Sequence, residues 1–244
     1  MIKAQALYDA IDGTWPAATL SHAGPWTIRD GQGGGKRVSA ATANQPTQDS
    51  DIPMAEAAMR ALGQDPLFML RQGETRLDAQ LAARGYDIVD PTNGYVTPVE
   101  TLTDIPIPRV TAFAIWEPLA IMAEIWAKGG IGPARLAVMA RAQTKTAILA
   151  RWNEKPAGAG YVAIHNGLAM VHAVEVLEHQ RRQGVAQWIM RRAAFWARDN
   201  GAEHLALLTT ADNIAANALY QRLGFASIGG YHYRKLAKQD TSAP

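Results

Sequence analysis

The reading of this chain turns on the stretch Arg181-Arg182-Gln183-Gly184-Val185-Ala186. Upstream, Ala169–Leu177 is an apolar, β-branched run that reads as a strand. Downstream, Gln187–Ala197 carries apolar residues at helical spacing and reads as an amphipathic helix. A basic turn with a glycine, set between strand and helix, leaves backbone N–H groups free at the positive end of the helix, where phosphate is stabilised. Gly184 lets the backbone approach such a group closely, and Ala186 keeps the approach open. By itself such a turn is a weak signal.

A second segment adds to it. The strand Leu205–Thr210 is followed by Asn213, Ala216, Tyr220 and Gly224-Phe225. Together the two segments resemble the GNAT superfamily of acyl-CoA-dependent N-acetyltransferases. Arg181, Gly184 and Ala186 match that family's Arg/Gln-x-x-Gly-x-Gly/Ala loop, while Asn213, Ala216, Tyr220 and Gly224-Phe225 match its later strand–helix. The resemblance covers roughly residues 110 to 235. It implies the GNAT fold, an α/β (α+β) architecture with a central mixed, mostly antiparallel sheet flanked by helices. It implies acetyl-CoA as acyl donor, no metal, and a primary amine on a small molecule or peptide as acceptor. Arg181, Arg182, Gln183, Gly184, Val185 and Ala186 would then hold the pyrophosphate. Val174 and Val176 would pair through their backbone with pantetheine, and Asn213 and Tyr220 would lie beside the thioester.

The chemistry of amide formation adds requirements. An attacking amine must be neutral, so a base must take its proton. Glu175 lies between Val174 and Val176 and is the first candidate, its side chain on the opposite strand face. A solvated strand carboxylate is an equally good account of it. A backbone N–H of the same strand would polarise the thioester carbonyl. Tyr220 would protonate the departing thiolate; free phenol and thiol differ by roughly 1.5 pKa units, so little tuning is expected. The rival reading is a non-catalytic CoA-binding regulatory module, which would have no use for Tyr220.

Composition narrows the classes. The 244 residues allow one large domain or two small ones, and 48% apolar content supports a packed core. A net charge of +2 without a basic tail does not point to nucleic acid. There is no cysteine, which excludes disulfides, thiolate zinc sites and a cysteine nucleophile. Met1–Ala10 turns polar too early for a signal peptide, and charges interrupt every apolar run, as Glu124 does, so no membrane segment is expected. A cytoplasmic protein is expected; oligomeric state is not legible.

The chain also repeats itself. Arg76–Ile88 reads like Ala215–Ser227, each a short helix stopped by glycine and an aromatic residue, then a strand. Pro66–Arg71 corresponds to Leu205–Thr210, and the helix Met54–Leu62 to Gln187–Ala197. The first copy lacks the basic loop, carries Asp49 and Asp51 there, and has Leu81 where Tyr220 stands. This predicts two tandem lobes: a degenerate GNAT-like domain over 1–105 without a CoA loop, a GNAT N-acetyltransferase domain over 106–238, and a disordered tail over 239–244. Convergent βαβ patterning is the alternative. The boundary is placed at Thr103–Arg109, where Pro106 and Pro108 favour extended backbone.

Other features are decoys. Gly31–Lys36 has Asp30 in the leading glycine slot and Arg37 after the lysine, so it is no P-loop; a hairpin between Trp26–Arg29 and a strand Lys36–Thr42 is expected. The histidines show no metal spacing, and Gly-x-Ser-x-Gly is absent. His172 is expected on the face of Val174 and Val176 as a core residue. Arg191 and Arg192 read as a solvated helix face, although an arginine there could reach the 3′-phosphate of CoA. Trp188 and Trp196 read as core.

Overall fold

The computed structural model describes residues 2–236; the tail expected over 239–244 lies outside them. In chain order the first half holds α1 (Ala4–Thr14), β1 (Thr19–Ala23), β2 (Trp26–Asp30), β3 (Thr42–Ala43), α2 (Ile52–Ala61), β4 (Leu67–Arg71), α3 (Thr75–Ala83) and β5 (Tyr86–Pro98). The second half holds β6 (Ala112–Ile115), α4 (Ala120–Lys128), α5 (Pro133–Arg141), β7 (Thr144–Trp152), β8 (Lys155–His165), β9 (Leu168–Val176), α6 (Val185–Asp199), β10 (His204–Thr210), α7 (Ile214–Arg222) and β11 (Ala226–Leu236). The order α2-β4-α3-β5 repeats as α6-β10-α7-β11, as the sequence repeat predicts.

Two compact units form, and each draws on both halves of the sequence. The first comprises Met1–Pro16, Asn93–Thr209 and Asn213–Gly229; the second comprises Ala17–Thr92, Thr210–Asp212 and Gly230–Pro244. The first unit thus takes Asn93–Pro98 of β5 from the first half, and the second takes Gly230–Leu236 of β11 from the second. The expected cut at 105/106 coincides with neither unit's limits.

In the first unit the strands lie in the order β5-β10-β9-β8-β7-β6. β6, β7, β8 and β9 are antiparallel neighbours, whereas β10 runs parallel to β9. α6 buries Val185, Ile189, Met190, Ala193, Ala194 and Ala197, a stripe at helical spacing, against this sheet. The approach is close: a Cβ at Gly160 of β8 would stand 2.6 Å from Ile189 Cγ2. Tyr95, Val99 and Leu102 join the same core. The segment expected as a linker is held there by Arg191, which is buried and not solvated: it donates to Leu102 O at 3.1 Å and to Asp104 at 2.5 Å. α1, which carries no cap signal and was not expected, packs on β8 and β9 through buried Leu7, Ile11 and Thr14.

In the second unit β1-β2-β3 form one small sheet, and β4 pairs antiparallel with β11. The core there is Trp26, Ile28, Phe68, Leu70, Leu77, Leu81 and Tyr86 among others. The expected hairpin is corrected. β2 pairs with β1 through a tight turn at Gly24-Pro25, where Gly24 takes φ 57°. Lys36–Val38 form a 3-10 turn, and only Thr42 and Ala43 pair with β2.

Candidate active site

The site begins where two parallel strands part. β10 and β9 pair from His204↔Leu168 to Leu207↔Val171 and no further, although both strands continue. The gap opens into a cleft of about 600 Å³ lined by β9 from Val171 to Val176, by Arg181 and Ala186, by Leu207–Thr209, and by Asn213 and Tyr220 of α7. Ligands of open α/β sheets bind at such points, beyond the carboxyl ends of diverging strands.

A bulge shapes this end of β9. The β8–β9 register shifts between Ala159↔Glu175 and Tyr161↔His172, and Ala173 takes φ 52°. Its displaced carbonyl accepts a hydrogen bond from Trp126 Nε1 at 2.8 Å. Beyond the bulge, Leu177 N–H donates to Ala157 O of β8. Backbone groups alternate sides along a strand, so the N–H and C=O of Val176 and Val174 face the gap. Val174 and Val176 pack their side chains on the α6 core.

The bulge corrects the expected place of His172. It lies on the face opposite Val174 and Val176, beside Tyr161 and Trp15 at ring-centroid distances of 6.0 and 5.0 Å. Thr14 donates its hydroxyl proton to Ala10 O at 2.5 Å, so the 2.9 Å contact between Thr14 Oγ1 and His172 Nε2 has the imidazole as donor. Glu175 shares that face of the strand, half-buried. Burial pushes its carboxyl up from the usual range, against the opposing pull of Arg181 and Arg135. A second cavity of about 380 Å³ meets the cleft at Glu175, Val176 and Arg181; Ile125, Lys128, Gly129 and Leu177–His179 complete it.

The loop residues divide by role. Gly184 is the N-cap of α6 at φ 77°, with no side-chain cap, and the first intrahelical bond is Trp188 N–H to Gly184 O. The N–H groups of Val185, Ala186 and Gln187 therefore precede the helical ladder at its positive end. A Cβ at Gly184 would meet no protein atom within 4 Å, so the space in front of it is open. Arg182, Gln183 and Gly184 are exposed, whereas the Val185 side chain is buried in the core, leaving its backbone to face outward. Arg181 Nε donates to Val176 O at 3.3 Å, which sets the guanidinium over the end of β9.

Tyr220 lies against the rings of Phe225 and Tyr95, at 5.9 and 6.4 Å. Burial, and then the charge of Glu175, push its phenol up to about 12. The expectation of a small mismatch with a free thiol is thereby corrected: burial holds the phenol well above the range of a free thiol. Asn213 is the N-cap of α7, its carboxamide oxygen accepting from Ala216 N–H at 3.1 Å. Asn93 and Tyr95 of β5 both donate to Asn217 Oδ1, at 2.9 and 2.8 Å, so the helix carrying Tyr220 is braced by residues of the first half. The sequence pattern gave no sign of that brace, of the Thr14–His172 pair, or of Gly129 beside Glu175. Among the described residues no group of His, Asp and Glu is arranged to hold a metal ion.

Residues 116–225 match the model of the acetyltransferase (GNAT) family. The chain is 25% identical over 231 residues to the uncharacterized N-acetyltransferase YobR of Bacillus subtilis (strain 168), covering 91% of this chain and 94% of that one. Its structure is similar to a GCN5-related N-acetyltransferase from Kribbella flavida, with a TM-score of 0.75 at 20% identity, covering 98% and 97% of the two chains. It is also similar to a tandem GNAT protein from the clavulanic acid biosynthesis pathway, with a TM-score of 0.57 at 12% identity, covering 86% and 76%. The chain has the fold of the GNAT proteins, and its residues 116–225 are similar to the acetyltransferase domain of that family.

Proposed function

We propose that the enzyme moves the acetyl group of acetyl-CoA to a primary amine of a small-molecule or peptide acceptor, with the donor in the cleft between β9 and β10. The observation that carries this reading is the convergence on one cleft of the β9 edge at Val174 and Val176, the N-terminus of α6 without a side-chain cap, and Tyr220. Arg181, Arg182 and the N–H groups from Gln183 to Ala186 meet the pyrophosphate. The amide-rich pantetheine arm adds to β9 as a strand would. Asn213 and Tyr220 flank the thioester.

Glu175 takes the proton of the incoming amine, directly or through water, at the border of the two cavities, and the acceptor enters from the cavity beside Gly129. A carboxyl raised by burial is a better match to that task than a free one. A β9 backbone N–H polarises the carbonyl as the tetrahedral oxyanion forms. The C–S bond then breaks. With its phenol near 12, Tyr220 stays neutral and donates a hydrogen bond to the leaving sulfur, with proton transfer late. The first half of the sequence is a copy of the same architecture that holds no donor. The cytoplasm is the compartment proposed; no helix among the described residues is long and apolar enough to cross a membrane.

The test is release of free thiol from acetyl-CoA across a panel of primary amines, for the wild type and Tyr220→Phe. Turnover with at least one amine is expected, and the variant should lose about a hundredfold in kcat. The loss should shrink with donors whose thiol is more acidic. Equal loss with every donor would retire the role of Tyr220 at the sulfur; no thiol release with any amine would overturn the reading as a whole.

A further inference from the structure

Glu175 is seated on a glycine. A Cβ at Gly129 would stand 2.3 Å from Glu175 Cδ and 2.6 Å from each carboxylate oxygen. The carboxyl group therefore occupies the volume that a side chain at 129 would fill. Backbone conformation does not account for the glycine, because Gly129 closes α4 at φ −85° and ψ 9°, which an L-residue adopts without strain. Its neighbour Gly130 is the opposite case, at φ 77° with no protein atom within 4 Å of a Cβ. One glycine makes the turn and the other makes room.

We propose that Gly129 is a positioning residue for acetyl transfer: its bare Cα holds the Glu175 carboxylate where the two cavities meet, and a side chain at 129 would expel the base. The inference rests on Glu175 being the base. Packing against Gly129 is also what removes water from the carboxylate. The charged and titratable groups around it are Arg181, Glu178 and His179 of the loop, Lys128 at the end of α4, Arg135 of α5, Tyr220 of α7 and His172 of the same strand. Arg181 and Arg135 pull the carboxyl down while burial pushes it up, so a carboxylate driven into water titrates lower than it does on its seat.

The experiment compares the whole chain with Gly129→Ala, Gly130→Ala, Glu175→Asp and Glu175→Gln. It follows kcat/KM against pH, KM for acetyl-CoA, and the carboxyl titration of Glu175 by carbon NMR. Gly129→Ala should lower kcat by about a hundredfold, as an ångström-scale misplacement does. Its acid limb and the Glu175 titration should move to lower pH, with KM for acetyl-CoA within about twofold of wild type. Glu175→Asp draws the carboxyl back from an intact Gly129 and should move the acid limb the same way. Gly130→Ala strains the turn and should leave the acid limb in place. An unshifted Glu175 titration in Gly129→Ala overturns the seat. If Glu175→Gln keeps wild-type kcat, the base assignment fails instead, and the NMR titration still decides whether Gly129 seats the carboxylate.

Discussion

Each unit contains a parallel strand pair that parts, and the two partings differ in what the next helix offers. In the first unit β9 and β10 separate beyond Val171 and Leu207. In the second, Ala41 bridges Phe68 in parallel, with Ala41 N–H to Leu67 O and Met69 N–H to Ala41 O, and β3 then turns away. A cleft opens at both places, about 600 Å³ in the first and about 380 Å³ in the second, the latter lined by Ala43–Thr47 and Gly73–Leu77. At the first, the helix N-terminus is free and flanked by Arg181 and Arg182. At the second, a 3-10 turn at Asp49–Asp51 closed by its own capping box leads into α2, with Gln48 N–H donating to Asp51 Oδ2 at 2.8 Å, and acidic Asp49, paired with Arg84, stands where the first has arginines. Leu81 of α3, at the position that corresponds to Tyr220 of α7 in the repeated order, is buried in the core. A parting of parallel strands occurs in both units, while arginines beside a helix N-terminus stand at one.

The harshest way to break this comparison is to cut the halves apart. A fragment 106–238 carries the whole of the expected acetyltransferase domain but lacks Tyr95, Val99 and Leu102, all buried in the first unit's core. It also lacks both donors to Asn217 and the two partners of Arg191. Burial of three such side chains contributes roughly 5–9 kcal/mol, against a typical total of 5–15. The fragment should show no cooperative unfolding transition and no acetyl-CoA binding. A fragment that melts cooperatively and binds the donor as the full chain does would make the second half self-sufficient after all.

A gentler change keeps the fold and removes the anion site. Acetyl-CoA at a hundred times its Kd should stabilise the wild type by about 2.7 kcal/mol. Gly184→Asp puts a carboxylate into the open space before α6, and its strained left-handed backbone costs about 1–2 kcal/mol. The stabilisation by acetyl-CoA should vanish. Titration calorimetry of the wild type should find one site per chain. Two equivalent sites would erase the difference between the partings.

What could be read from the sequence follows the range of the interactions involved. The α6 loop and the repeated α-β-α-β order depend on neighbours in the chain, and their patterns were visible; the capping bond of Asn213 to Ala216 was not read. Strand exchange depends on which β-strand pairs with which across the sequence, and period-2 alternation in β5 and β11 carries no partner label. The bulge at Ala173 falls on a residue that announces no positive φ, so the face of His172 was misassigned, while alternation beyond it set Glu175 opposite Val174 and Val176, where it stands. Arg191 looked like surface because an arginine beside another on a helix usually is, and its partners lie far away in sequence.

The smallest expected effect concerns how the second unit keeps its fold. Asp78 of α3 receives Arg234 Nε and Nη2 of β11 at 2.7 and 2.9 Å, and His232 Nε2 at 2.7 Å. Arg234 Nη1 also donates to Tyr86 O. The Arg234 hydrogen bonds, with His232 adding, hold the Asp78 carboxyl below the usual range. Its folded pKa is therefore lower than the unfolded one. The stabilisation is complete above the unfolded value of about 3.9 and fades as pH falls through the folded one. Asp78 is partly exposed, so the charge-assisted bonds are discounted to about 1–2 kcal/mol. Asp78→Asn should lower the unfolding free energy at pH 7 by that amount and leave acetyl-CoA affinity unchanged, since none of these groups lines the donor cleft. Unfolding followed from pH 7 into the acid range should show the gap between variant and wild type closing below about pH 4. A gap that persists in acid would assign the loss to packing of the asparagine instead of to the ion pair. A matching loss of acetyl-CoA affinity would mean that the second unit does more for the donor cleft than keep its own fold.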